Sequence, residues 1–550
     1  RSLSVLKAFR NTAIHCNQNC NCTSLPINRA LCRRNTKYHE CIVLVCGSSL
    51  RLLFLQCDIH LEVLFGEKQR AATWRDLLPR SVKAGSSRRP FSGGTTTASM
   101  DNEAASEAKR PRLEDGDTSP PVDDAKRGFR VQATGSAGTL LFSGGTNWDT
   151  IGRRPKDKQK AGASQERNLW GPHRLAWPHR VKAVFSGCSA CHTVLLTEQG
   201  QAFTWGRNDK GQLGQCDLKR RDLPTLVETL KDSMVVAAAC GRAHTLFLTD
   251  HGSVFACGDN KMGQCGVGSQ NASVHVPTRV AFKLRPAVRV SCGGEFSVLV
   301  DCRGHVYTFG CPEYGQLGHN TDGRYFVTSN KLQFKCELVP RRVQVFIDRN
   351  REGHVVSVDD VHIVEVASGL NHTIALDERK RCFSWGFGGY GRLGHNEPKD
   401  EMVPRLIKAF EGPNRGLCSV YAGGTFSMAV SELGVLYFWG MNNHGGEATM
   451  YPKPIQDLTG WHIRGIGCSN KSIVVLADES VISWGPHPTY GELGYGEGRQ
   501  KSSTTPQEVR LLEGIHVHAV ACGLGHSVFI ARDESEEERA RIRRLPEFQP

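Results

Sequence analysis

From residue 186 onward the chain repeats one phrase six and a half times, and this limits its fold more than any other feature. The unit is plainest in SGCSACHTVLLTEQGQAFTWGRNDKGQLG (186–214), and it returns as CGRAHTLFLTDHGSVFACGDNKMGQCG (240–266) and CGGEFSVLVDCRGHVYTFGCPEYGQLG (292–318). Three further units are SGLNHTIALDERKRCFSWGFGGYGRLG (368–394), AGGTFSMAVSELGVLYFWGMNNHGG (422–446) and CSNKSIVVLADESVISWGPHPTYGELG (468–494), and a half unit, CGLGHSVFIA, ends at 531. The leading glycine stands at 187, 241, 293, 369 and 423, is replaced by Ser469, and returns at 523. The usual step is 52–54 residues, with one interval of 76 and one of 46. Each unit reads as an apolar strand, a short turn, and a second strand ending in Trp-Gly or Phe-Gly. Glycines after the second strand (Gly206, Gly211, Gly214) allow tight turns and close approach. Small sheets repeating at this period bury their faces only against their neighbours, which predicts radially stacked blades.

The two ends of the chain fit together. The last unit keeps one hairpin strand, His526–Ala531, and lacks its Trp-Gly half; LLFSGGTNWDTIG (140–152) matches that half with one residue fewer. The expected fold is all-β: a seven-bladed β-propeller over 136–532, closed by an N-terminal strand that completes the last blade. Closure of this kind leaves no exposed sheet edge at the join.

Outside the repeat the composition changes. The chain holds 69 basic and 55 acidic residues, net +14, but residues 1–99 carry 15 basic against 5 acidic. The remaining 451 residues are nearly balanced, 54 against 50, so a basic patch there has to come from local arrangement. Residues 1–99 show no sustained strand or helix period and precede the first Met, Met100; they are read as a doubtful extension, non-native or disordered, with no function. Residues 100–135 form a polar tail too poor in apolar groups to fold. Within it Lys109, Arg110 and Arg112 make a compact basic cluster of nuclear-import type, and Ser119-Pro120 suits proline-directed phosphorylation. Cysteines later in the chain sit singly in strands as small buried hydrophobes, and Cys188-x-x-Cys191 lacks the second pair that a zinc site needs. The apolar stretch 42–57 is broken and too short to span a bilayer, so no membrane insertion is expected. DESEEERARIRR (533–544) puts acids first and bases last, the order a short helix favours, with Glu537 and Arg541 paired at i,i+4.

The strings WG-x-N-x-x-G-Q-L-G and CG-x-x-H-T, across about 140–531, resemble repeats of the regulator of chromosome condensation family. NLWGPHR (168–174), FGCPEYGQLGHN (309–320) and SWGFGGYGRLGH (384–395) are similar to that family's second paralogue. The resemblance implies a non-enzymatic adaptor that binds and regulates small GTPases of the Rac/Rho or Ral class. It also implies association with chromatin, nucleosome or centromere components and with microtubules. The places it implies are the nucleus, the nucleolus, mitotic chromosomes, spindle and midbody, with some cytoplasm and cytoskeleton. A guanine-nucleotide exchange factor and a chromatin-only architectural binder are the alternatives.

No catalytic set, cofactor or metal site is expected. His192, His244, His372 and His526 recur at one repeat position, where Phe296, Phe426 and Lys471 stand in other units; a place that tolerates Phe belongs to blade packing. No phosphate loop or nucleophile elbow is present. Function is expected where the repeat is broken. In the 76-residue interval, VQVFI (343–347) and HVVSV (354–358) read as a projecting hairpin at about 343–358. Its polar tip, Asp348, Arg349, Asn350, Arg351, Glu352, Gly353 and His354, is the candidate partner site. A second candidate is the basic loop Arg153, Arg154, Lys156, Lys158 and Lys160, suited to acidic partners.

Overall fold

The computed structural model describes residues 28–34, 37–46, 49–51, 129–153, 168–282, 285–350, 352–441 and 448–550. The chain divides into two units, Arg1–Leu113 and Glu114–Pro550. In the first, Asn28–Arg34, Lys37–Cys46 and Ser49–Arg51 pair as a three-stranded antiparallel sheet. The run Ile42-Val43-Leu44-Val45, rich in β-branched residues, lies in its central strand, although the sequence there carries no clean alternation.

The second unit is a seven-bladed propeller. Blade 1 is Val181–Phe185, His192–Thr197, Ala202–Gly206 and Arg221–Leu226, each strand antiparallel to the next. Blades 2 to 6 repeat the meander, with inner strands at Val235–Cys240, Ala287–Cys292, Ile363–Ser368, Leu417–Ala422 and Ile463–Cys468. Blade 7 takes Val517–Gly523 and His526–Ala531 from the C-terminal side. Thr139–Gly144 and Leu169–Leu175 come from the N-terminal side. The N-terminal segment therefore supplies two strands, because the same Gly-ended turn that leads to a fourth strand elsewhere follows Gly144 as well. The C-terminal segment adds more than a helix. After Glu536–Arg543, capped reciprocally by Ser535 and Glu538, Glu547–Phe548 pairs in parallel with the outer strand. Arg541 donates to the Gly514 carbonyl (2.8 Å), which holds the helix on the propeller in place of the expected pair with Glu537.

The apolar core is divided between blades. Phe426, Met428 and Val430 of blade 5 pack on Ile473 and Val475 of blade 6, and the other junctions are filled in the same way. Two glycines show why the repeat spells as it does. A Cβ on Gly241 would lie 2.1 Å from Cε1 of His244, whose ring lies on that glycine. Gly206, at φ +114°, sits against the His192 backbone, where a Cβ would come within 2.7 Å of its Cα.

Antiparallel meanders sort the connections between two faces. Turns from first to second strand and loops from third to fourth emerge on one, here the front. Turns from second to third strand and links between blades emerge on the back. At the front mouth the inner turns bond to one another through their backbones. Gly294 donates to Leu370 O, Asn470 to Cys188 O and Leu524 to Ala190 O (2.8–3.0 Å). Cys188 and Cys191, both buried, belong to this seal, where blade 1's turn is longer than its counterparts.

Candidate interaction surface

The repeat histidines lie in four separate junctions. His192 Nε2 meets Thr245 Oγ1 of the next blade at 2.8 Å, His244 meets Ser297 at 3.0 Å, His372 meets Ser427 at 2.9 Å, and His526 closes the circle on Thr193 at 2.8 Å. Thr245, Ser297 and Ser427 each donate their single proton to the carbonyl of Gln212, Gln264 or Arg392. Each of these hydroxyls must therefore accept from the imidazole, which puts the histidine proton on Nε2. Burial holds His192 near pKa 3 and His244 near 4, so both are neutral. Where Phe296 replaces histidine, the facing Thr373 hydroxyl has no partner among the described residues, and Trp385 Nε1 takes the Gln316 carbonyl instead (2.9 Å). In blade 6 the equivalent place is held by Ser472, not Lys471: Ile473 pairs with Cys468 as Thr245 pairs with Cys240, which moves the register by one.

The 343–358 segment is a hairpin, but it does not stand free. Its strands are Ile347–Arg349 and Val355–Ser357, so Asp348 and Arg349 lie in a strand and not at the tip. Ile347 pairs in parallel with Arg405, making blade 4 six-stranded. Phe346 is buried edge-on to Phe383, because an apolar residue at the rim gains more by covering the blade than by projecting. Arg349 donates to Glu401 (3.1 Å), which Arg405 also engages (2.8 Å), and Asp348 pairs with Lys408. Glu397, bonded by Lys399 and Arg405, is held down at about pKa 2. Among the described residues, Asn350, Glu352, Gly353 and His354 remain at the exposed tip; Asn350 Oδ1 accepts from the backbone of Glu352 and His354. Arg351 lies outside the described residues.

A second hairpin, absent from the sequence-based expectation, stands on the front face. It fills the loop between the third and fourth strands of blade 3: Arg324–Thr328 pairs with Lys331–Phe334 in a sheet of its own. Every residue of its first strand is exposed, Phe326 at 71%, with Tyr325, Val327 and Leu332 also open to solvent. Two short apolar runs about Ser329-Asn330 were the available signal. Among the described residues, nothing within the blade covers this apolar group.

The back face differs in charge. Between blades 3 and 4 a cleft of about 1160 Å³ is lined by Arg289, Arg303, Arg342, His305 and His362, with Asp301 and Glu378. Both acids are engaged. Burial pushes Asp301 up, but the His305 side chain and the backbone N–H groups of Arg303 and His305 outweigh it, and the carboxyl lies below its ordinary value. Glu378 pairs with His362 at 3.0 Å. Three arginines against two carboxylates leave the lining a net charge of +1. On the front face Arg153 pairs with Asp209, while Arg154, Lys156, Lys158 and Lys160 lie outside the described residues, as do Lys109, Arg110, Arg112 and Ser119. No described helix is long and apolar enough to cross a membrane.

Comparison with known proteins covers nearly all of the propeller. Residues 94–429 match the RCC1-like domain, and residues 478–530 match the regulator of chromosome condensation (RCC1) repeat. Protein RCC2 of Mus musculus is 53% identical over 431 residues, 78% of this chain and 83% of that protein. Protein RCC2 of Homo sapiens is 52% identical over the same shares. Among solved structures, Prp20p from Saccharomyces cerevisiae, described with its binding properties to Gsp1p and histones, superposes with a TM-score of 0.58 at 19% identity. The match covers 76% of this chain and 96% of Prp20p.

Proposed function

The chain belongs to the regulator of chromosome condensation family, and from that premise we propose that it is a non-enzymatic scaffold whose front face binds a small GTPase of the Rac/Rho or Ral class. The observation that carries the reading is the free apolar hairpin Arg324–Phe334. Large aromatic groups held on a short rigid sheet are efficient interface anchors, since few rotamers are lost on binding. The cationic cleft on the back face supports contact with an acidic partner such as nucleosomal DNA or a centromere component, so both partners are accommodated at once. Prp20p, described as binding Gsp1p and histones, is a precedent for a propeller with two kinds of partner. Nuclear entry through Lys109, Arg110 and Arg112, with mitotic and cytoskeletal association, completes the proposal.

The test is binding of purified Rac, Rho and Ral proteins to the full chain and to the triple variant Tyr325→Ser, Phe326→Asp, Leu332→Ser. Loss of binding by the variant at an unchanged melting temperature supports the reading; full binding moves the site off the hairpin. A second reading, guanine-nucleotide exchange, is favoured by the projection of this hairpin beyond its blade. Exchange requires that substoichiometric protein accelerate nucleotide release, whereas a sequestering scaffold acts only mole for mole.

A further inference from the structure

The hairpin Arg324–Phe334 is joined to blade 3 by two chain segments, and each carries a cysteine where it leaves the sheet. Gly310 pairs with Glu337 at the end of the ladder, which makes Cys311 and Cys336 the next facing residues. Directly opposed positions of antiparallel strands have Cβ atoms about 4.5–5.5 Å apart and Cα separations in the range that a disulfide bridges. The register therefore sets the two thiol-bearing residues opposite each other at the base of the hairpin. Other blades fill the same two places differently: Arg207 with Arg220, Phe387 with Asp400, and Met441 with Ala448. Only the blade that bears the exposed hairpin pairs cysteines here.

The two sulfurs are not equivalent. Cys311 is buried, while Cys336 is half-exposed beside the Phe334 carbonyl and Met262. Cys311 as donor holds the Cys336 thiol below its ordinary pKa, and its own is pushed up. Cys336 is thus the accessible nucleophile and Cys311 the resolving group behind it. By contrast Cys257 and Cys292 are fully buried, and burial drives Cys292 up to about 12. Cys216 and Cys418 are exposed.

We propose that Cys311 and Cys336 form a reversible disulfide site, oxidised by a hydroperoxide or a low-molecular-weight disulfide, that staples the base of the hairpin. With hydrogen peroxide, the Cys336 thiolate attacks one oxygen, the O–O bond breaks, and the displaced hydroxide takes up a proton as water. The Cys311 sulfur then attacks the sulfenic sulfur, forming the S–S bond and releasing a second water. Two thiols have lost two electrons and two protons, and the peroxide has gained them. Closing the loop at its base restricts the hairpin's excursions. The effect on GTPase binding rests on the function proposed above; the bond itself does not.

Full-length protein is treated with hydrogen peroxide, its remaining thiols are blocked with N-ethylmaleimide, and unreduced peptides are analysed by mass spectrometry, with amide exchange measured in parallel. The expected result is a peptide linking Cys311 to Cys336 and at least a threefold slowing of exchange across 324–334. Dithiothreitol should reverse both effects, and Cys336→Ser should show neither. Recovery of both cysteines alkylated while Cys216 and Cys418 are oxidised overturns the proposal, as does linkage of Cys336 elsewhere. A linked peptide with unchanged hairpin exchange overturns the staple. Linked peptide and slowed exchange, with GTPase binding unaltered by oxidation, count against the GTPase reading alone.

Discussion

An imidazole buried between two blades stays neutral, and the repeat histidines therefore tie the stability of the ring to pH. His192 and His526 are lowered to about 3 and His244 to about 4, chiefly by burial, against an ordinary value near 6.5. Between those values the unfolded chain binds protons that the folded chain refuses. Their contribution to stability is present above about pH 6.5 and is lost as pH falls toward 4. His244→Phe should remove one such proton without unmaking the junction, because Phe296 occupies the same place over Gly293 and Ser297 keeps its bond to Gln264. The difference in unfolding free energy between pH 7 and pH 5 should shrink by about 2 kcal/mol relative to the parent. Urea titrations at the two values measure it, and an unchanged difference would mean that His244 takes up its proton in the folded chain as readily as in the unfolded one. The recurrence of this histidine was plain in the sequence. Its hydroxyl partner, 53 residues further along the chain, was not, since nothing local links the two.

Two hairpins interrupt the regular meander, and they carry opposite energetic roles. Phe346 is buried against Phe383 at the rim of blade 4, with ring centroids 5.2 Å apart, while Phe326 on the front face is mostly exposed. Phe346→Ala should cost about 3 kcal/mol, through lost burial and the cavity left behind. Phe326→Ala should move stability by less than about 0.5 kcal/mol and act only on binding. Denaturant midpoints compare the two directly; equal losses would show that the front hairpin is part of the core. Alternation at 343–347 and 354–358 made the rim hairpin legible, but periodicity does not say which neighbour an apolar face will meet. Only the parallel contact of Ile347 with Arg405 turned the expected projection into a cover.

At the scale of the ring, each blade contacts two neighbours, so every junction is needed to keep the circle closed. The last blade is assembled from both ends of the propeller: His526–Ala531 pairs with Thr139–Gly144 along its whole length. Removing 140–152 would strip that sheet of its third strand and expose Val528 and Ile530, both fully buried now. The deletion should lower the melting temperature by well over 10 °C or leave the protein insoluble, read by calorimetry and by the soluble fraction on expression. An unaltered melting curve would mean that the ring does not depend on its seam.

The sequence by itself determined the number of blades, the seam that joins the two ends of the propeller and, except where Ser472 takes the place read as Lys471, the packing residues of the repeat. Those follow from local periodicity and from counting repeats, which neighbouring residues encode without knowing where the chain goes. Tertiary structure alone decided which interruptions face solvent, that Arg349 is spent on Glu401, that Cys311 meets Cys336, and that cations gather between blades 3 and 4. Each of these depends on which segments a closed ring brings together. That depends on distance in space, which a pattern along the chain does not carry.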